Sequence, residues 1–169
     1  MPVRAKFRCL SATHTWKDEF SAKLAPVISK GDSYPGGSQE NREFWEASPS
    51  GECELWFRNL AASLVKVKSY YYIDMRRLGQ DPDEKTAEEN LWTLTSVKYL
   101  GNSHDKGPTM MEVELTRSCW HESPFFSGTL KIGIHNKAAW PHFENRVGTP
   151  WEVIFTEADA GNTGCPYTD

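Results

Sequence analysis

An internal repeat constrains the fold of this chain more than any other feature of its sequence. Residues 50–62 (SGECELWFRNLAA) and residues 127–139 (SGTLKIGIHNKAA) share Ser-Gly at the start, an apolar alternation in the middle and Asn-x-Ala-Ala at the end. Three weaker matches occur in the same order along the chain: residues 7–14 with 97–104, 22–29 with 111–118, and 67–75 with 147–155. We therefore predict an internal duplication, because self-similarity of this kind is typical of a repeated structural unit.

Alternation of apolar and polar residues predicts that each repeat consists of β-strands. Residues 3–9, 53–57 and 130–134 all show it, as expected for a strand with one buried and one solvated face. Asn59 and Asn136 precede Ala-rich stretches, where an asparagine side chain can cap the start of a short helix. The predicted fold is mainly β, with two tandem small antiparallel β-barrel or β-sandwich domains, each with a short helix inserted before its last strand.

The negative charge of the chain lies between and after the repeats. Residues 79–90 (GQDPDEKTAEEN) contain five acidic residues and one lysine, which is typical of a linker. We therefore divide the chain into a first repeat (1–78), an acidic linker (79–90), a second, diverged repeat (91–156) and an acidic tail (157–169). The formal charge of −4 and the pI of about 5.8 exclude a globally basic nucleic-acid binder, but the first repeat is positive on its own.

Several classes of protein are disfavoured by simple features of the sequence. No apolar run approaches the roughly 20 residues that a membrane span needs, so we expect no membrane partner. The first ten residues lack the apolar segment of a secretory signal, and we expect no secretion by that route. The four cysteines, which are too far apart for any CxxC pair, are expected to be free thiols without a zinc site: Cys9, Cys53, Cys119 and Cys165.

The sequence carries no enzyme signature. It contains no GxSxG, HExxH, GxxxxGK[ST] or GxGxxG motif. His14 and His104 fall at matching positions of the aligned repeats, and a shared structural position explains that pairing as well as shared chemistry would. We therefore predict a protein that is not an enzyme and that needs no cofactor and no metal.

A basic and aromatic surface is the first candidate binding site. Arg4, Lys6 and Arg8 share one face of the first predicted strand, and Lys66 and Lys68 precede a tyrosine-rich strand. If these strands are neighbours, seven side chains share one face of the sheet: Arg4, Lys6, Arg8, Lys66, Lys68, Tyr70 and Tyr72. Cations beside aromatic rings are typical of single-stranded nucleic-acid binders with an OB-like fold, whereas an ordinary solvated face that protects an edge strand is the alternative.

Tryptophans form the second candidate site. Five tryptophans fall in loops or at the ends of predicted elements, and not all of them in strand interiors: Trp16, Trp45, Trp92, Trp120 and Trp140. A tryptophan left exposed there would act as an anchor at a protein–protein interface, where this residue type contributes much of the binding energy.

The first repeat resembles a family of small proteins encoded by tailed bacteriophages. The matching segments are KFRCLS (6–11), LAPV (24–27), ENREFWEASPSGECEL (40–55), NLAA (59–62) and YYYID (70–74). Two residues depart from the family pattern, in which threonine stands in place of Ser48 and glycine in place of Lys68. The resemblance implies a phage origin, with the host cytoplasm or the virion as the location, and it implies no activity.

Together these features predict a phage-encoded binding protein that acts through protein–protein contacts. Its partner would be either a virion component, for an accessory or decoration protein, or a bacterial host protein, for an inhibitor of a host factor. Single-stranded nucleic-acid binding through the basic and aromatic face is the alternative function. The sequence leaves open a homo-oligomeric state.

Overall fold

A computed structural model describes residues 3–16, 19–26, 50–58, 66–79, 90–101, 107–118, 125–134 and 137–158. Within these ranges the chain forms eight strands and one 3₁₀ helix, Lys137–His142. The strands are β1 (Val3–Trp16), β2 (Glu19–Pro26), β3 (Ser50–Arg58), β4 (Tyr70–Arg77), β5 (Leu91–Leu100), β6 (Met110–Ser118), β7 (Phe125–Ile134) and β8 (Pro150–Ala158). The mainly β class predicted from the alternation is confirmed. No helix in the described ranges has the length and apolar character needed to cross a membrane.

All eight strands belong to one closed antiparallel barrel. Their order around the ring is β1-β2-β3-β7-β6-β5-β8-β4. The structure therefore differs from the prediction of two separate barrels or sandwiches. The reason is that each group of four strands has two open edges, and pairing β3 with β7 and β4 with β8 satisfies the backbone hydrogen bonds of all four edges. The sequence boundaries of the repeats, the linker and the tail stay predictions.

The two halves of the barrel repeat one strand order. The first half runs β4-β1-β2-β3 and the second runs β8-β5-β6-β7, which is the spatial order of a Greek key in both. The strands that join the halves are equivalent to each other, because the third strand pairs with the third and the fourth with the fourth. This arrangement is that of a two-fold dimer contained in one chain.

The turn before the last strand of each half has the same hydrogen bonds. In the first half the amide of Lys68 donates to the carbonyl of Cys9 at 2.8 Å, and the amide of Cys9 donates to the carbonyl of Ser69 at 2.9 Å. In the second half the amide of Gly148 donates to the carbonyl of Leu94 at 2.7 Å, and the amide of Leu94 donates to the carbonyl of Thr149 at 3.1 Å. Each half also has an irregularity in its first hairpin just after this point, at Leu10 and at Thr95.

These shared features correct one of the sequence matches. Cys9 makes the same backbone hydrogen bonds in the first half as Leu94 makes in the second. Residues 7–11 therefore correspond to 92–96 rather than to 97–101. His14 is therefore equivalent to Tyr99, and His104 lies outside the described residues. The predicted match of His14 with His104 is wrong, because it used an offset of 90 residues (104 − 14), whereas the hydrogen bonds of Cys9 and Leu94 set an offset of 85 (94 − 9).

A single apolar core fills the barrel. Every strand contributes its inward-facing residues, among them Phe7, Leu55, Ile73, Trp92 and Leu130, and all of them are almost fully buried. The 3₁₀ helix lies between β7 and β8, so the short helix predicted for the second repeat is confirmed. Its counterpart after Asn59 lies outside the described residues, as does the capping residue Asn136.

Candidate binding surface

The outer face of β1 and β4 carries the cations and tyrosines that the sequence singled out. The two strands are antiparallel neighbours, with Lys6 opposite Tyr72 and Arg8 opposite Tyr70. Residues directly opposite each other project from the same face of a sheet, so these four side chains form one cluster outside the barrel. The expected adjacency of the two strands is confirmed, and Arg4 pairs with Asp74 in the same register, although the side chain of Arg4 is not described.

Within this cluster the cations lie over the tyrosine rings. The Nζ atom of Lys6 is 5.4 Å from the centre of the Tyr70 ring and 5.6 Å from that of Tyr72, and the guanidinium carbon of Arg8 is 5.5 Å from the centre of Tyr70. These distances fall within the range of cation–π attraction. Lys6 and Arg8 are each only 5% exposed and Tyr70 only 8%. This part of the surface is therefore a packed layer, whereas the sequence suggested an open basic groove.

The turn that leads into β4 holds two further cations at the surface. Lys66, Val67 and Lys68 are exposed, and the amide of Ser69 donates to the carbonyl of Lys66 at 3.2 Å to close the turn. The hydroxyl of the buried Tyr71 accepts a hydrogen bond of 2.7 Å from the amide of Lys66, which ties the turn to the core. Arg8 Nε donates to the carbonyl of Lys68 at 3.4 Å, so the turn and the outer cluster form one unit.

Two apolar side chains lie beside these cations. Leu10 is 42% exposed and Val67 is 45% exposed. Leu10 directly follows Cys9, and Val67 directly precedes Lys68, the two residues whose backbones are hydrogen-bonded. We call the set of Lys6, Arg8, Leu10, Lys66, Val67 and Lys68 the β1–β4 corner. Sequence reasoning missed Leu10 and Val67, although Leu10 interrupts the alternation of β1 and Val67 stands between two lysines.

The backbone of Lys68 has a conformation that favours glycine. Its φ angle is 73°, and the equivalent residue in the second half is Gly148, with a φ of 91°. A positive φ at the third residue of a β-turn is typical of type II, where glycine is preferred because it has no Cβ atom. The chain therefore retains a lysine at a position where glycine would be more stable.

Lys68→Gly is expected to raise the free energy of unfolding by about 1 kcal/mol, because the strain of a left-handed L-residue is removed. Thermal or urea unfolding measures the effect. Gly148→Ala is the matched control and is expected to lower stability by about the same amount, since it introduces a Cβ at the equivalent position. A Lys68→Gly variant less stable than the wild type would contradict this account of the turn.

Two of the predicted tryptophans, Trp92 and Trp140, are buried rather than exposed, and Trp45 lies outside the described residues. Trp140, predicted as an interface anchor, belongs to the core and donates its Nε1–H to the carbonyl of Ile134 at 2.9 Å. Trp140 lies in the 3₁₀ helix beside the ends of β5 and β7, and its indole packs on the core. The ring of Tyr99 contacts the indole edge to face, with the ring centres 5.4 Å apart. Trp120 and the side chain of Trp16 lie outside the described residues.

Two cysteines lie inside the barrel as free thiols. Cys9 and Cys53 are buried, each opposite Leu24 on the strand between them. Burial raises the pKa of both thiols above the ordinary value of 9.0. In the part of the chain that the structure describes, no group of three or more His, Cys, Asp or Glu side chains is arranged to hold a metal ion. The two thiols are therefore core groups with little nucleophilic character.

Alkaline pH is expected to destabilise the fold through these groups. Burial raises the pKa of Cys9, Cys53 and Tyr71 in the folded state. The unfolded chain ionises them at their ordinary values, so above about pH 9 it loses protons that the folded state keeps, and the free energy of unfolding falls as pH rises. Urea titrations at a series of pH values measure this slope, and Cys53→Val should make it shallower. If the slope is unchanged in that variant, ionisation of Cys53 does not contribute to the loss of stability at alkaline pH.

Comparison of the chain with protein-family models, with curated proteins and with solved structures finds no match. The functional proposals below therefore depend on the residues of the chain and their geometry.

Proposed function

We propose that this chain is a non-enzymatic, phage-encoded binding protein that acts through protein–protein contacts, either as a virion-associated accessory protein or as an inhibitor of a bacterial host factor. The observation that carries the proposal is the β1–β4 corner. There, exposed Leu10 and Val67 lie beside exposed cations on a rigid barrel face. Apolar side chains surrounded by charged ones are typical of the centre and rim of a protein interface.

Rigidity of the corner supports this proposal. Its backbone is hydrogen-bonded to the barrel at Cys9 and Lys68, and its turn is tied to the core through Tyr71. A surface whose conformation is already fixed loses little conformational entropy when it binds. The corner therefore presents a preformed contact surface.

Single-stranded nucleic-acid binding is the second candidate function. The exposed Lys66 and Lys68 of the β1–β4 corner favour it, since phosphate contacts dominate such affinities. Stacking is less favoured, because Lys6 and Arg8 cover the face of Tyr70 and leave it 8% exposed. Nucleic-acid binding through the corner predicts an affinity for oligothymidylate that falls steeply with salt and is abolished when the four cations are replaced by alanine.

Co-purification with a matched pair of variants tests the proposed function. Tagged protein is incubated with host-cell lysate and, separately, with disrupted virions, and bound proteins are identified by mass spectrometry. We expect one partner to be retained by the wild type and by Val147→Ser but lost with the Leu10→Ser/Val67→Ser variant. Val147 is the suitable control, because it is the exposed equivalent of Val67 in the second half. Equal retention by both variants, or no retained partner, would contradict the proposal.

A further inference from the structure

We infer that the β1–β4 corner recognises an acidic protein segment in which carboxylate side chains alternate with apolar ones. This inference rests on the proposed protein–protein function and specifies the chemistry of the partner. It depends on three observations: the difference between the corner and its equivalent in the second half, the conformation of Lys68, and the coverage of the tyrosine rings.

The second half of the barrel provides an internal comparison for the corner. It has an equivalent strand order, equivalent turn hydrogen bonds and a positive φ at the same place, but different side chains at five of the six positions. The equivalents of Lys6, Arg8, Leu10, Lys66, Val67 and Lys68 are Leu91, Thr93, Thr95, Arg146, Val147 and Gly148, respectively. The scaffold therefore does not require four cations here, since one cation is enough for the same backbone. Of the three further positive charges in the first half, those of Lys6 and Arg8 pack on the tyrosine rings, whereas that of Lys68 belongs to an exposed residue.

Lys68 is the most informative of these charges. Its positive φ makes glycine the more stable choice, and glycine occupies the equivalent site. Retention of a residue that strains the backbone is typical of functional positions. Lys68 is also exposed, and it follows the exposed Lys66 and Val67 directly in the turn.

The surroundings of the cations favour a polypeptide over a nucleic acid. A nucleic acid would use exposed aromatic faces for stacking, but Tyr70 lies beneath Lys6 and Arg8. The exposed groups between the cations are instead aliphatic, namely Leu10 and Val67. Aliphatic side chains of a partner would bury these two residues, while its carboxylates would pair with the exposed lysines.

Peptide binding by two corner variants tests the inference. The probe is a fluorescent peptide of repeating Glu-Leu-Glu-Ser, compared with its Gln-Leu-Gln-Ser counterpart and with oligothymidylate of matched charge, all measured by anisotropy at low salt. We expect the Glu peptide to bind the wild type most tightly, with an affinity that falls as salt approaches about 0.2 M. Lys66→Ala/Lys68→Gly should weaken binding about tenfold and Val67→Ser about threefold, whereas Val147→Ser should leave it unchanged.

Lys68→Gly alone separates a loss of binding from a loss of folding. It is expected to bind the Glu peptide less tightly while melting about 2–4 °C higher than the wild type. The inference is overturned if the corner variants bind the Glu peptide as tightly as the wild type does, or if the Gln peptide binds equally well. Tighter binding of oligothymidylate with the same dependence on Lys66 and Lys68 would also overturn it and would assign the corner to nucleic acid.

Failure of the inference is distinguishable from failure of the proposed function. Binding of the Glu peptide could prove independent of the corner while a partner still co-purifies and is lost with Leu10→Ser/Val67→Ser. In that case the protein–protein function stands, and only the inference that the partner segment is acidic is wrong. If no partner depends on Leu10 and Val67, the proposed function itself is overturned.

Discussion

Trp151→Ala is expected to lower the free energy of unfolding by about 4 kcal/mol, which is within the range for removing a buried tryptophan. Trp151 is 2% exposed and lies opposite Trp92 where β5 and β8 meet. Its ring stacks on Phe143 with the centres 4.9 Å apart, and its Nε1–H donates to Thr149 Oγ1 at 3.0 Å. The substitution leaves a cavity in the core between β5 and β8, and it removes the partner of Phe143.

Urea unfolding measures this loss, with Trp56→Ala as the matched control. Trp56 lies on the outer face of β3 and is only half-buried, so the same substitution there should cost about 1 kcal/mol. Equal losses in the two variants would show that the interior packing described for Trp151 does not dominate its contribution.

Gly128→Val is expected to destabilise the barrel by about 3 kcal/mol through overpacking. A Cβ atom at Gly128 would lie 2.6 Å from Cη2 of Trp92 and 3.0 Å from Cδ2 of Leu55. The indole of Trp92 is fixed within the core, so it cannot move aside at low cost. The inward-facing glycine of β7 therefore makes room for the tryptophan of β5.

A double-mutant cycle with Trp92→Phe tests this steric account. The smaller ring lacks the atom that a side chain at position 128 would meet, so the two substitutions together should cost at least about 1 kcal/mol less than their sum. Ser127→Val is the control, because Ser127 is the neighbouring residue on the outer face. Strict additivity of Gly128→Val and Trp92→Phe would contradict the proposed contact.

The strands could be predicted from the sequence because each one carries its own pattern of burial. Alternation in residues 53–57 and 130–134 requires no knowledge of neighbouring strands, and β3 and β7 appear where it predicts them. Closure of the two repeats into one ring could not be predicted in this way. It depends on backbone hydrogen bonds between β3 and β7 and between β4 and β8. Every residue type except proline offers the same backbone groups, so the side-chain pattern does not indicate which strands pair.

The candidate site was likewise predictable only where a property depends on one strand alone. The sequence placed Lys6 and Arg8 on one face of β1, which is a local property. Their contact with the tyrosine rings arises from the register with β4, which sets Tyr72 and Tyr70 opposite them. The positive φ of Lys68 is a property of the turn, and the alternation of apolar and polar residues carries no information about it.

The pairing of equivalent strands has a consequence for how this surface can change over generations. In a true homodimer every substitution occurs twice, so a binding site and its symmetric counterpart change together. Here both halves belong to one polypeptide, and each position varies alone. Lys68 can therefore carry a charge at a strained backbone position while Gly148 keeps the relaxed turn. A covalently joined pair thus allows one face to diverge while its twin preserves the scaffold.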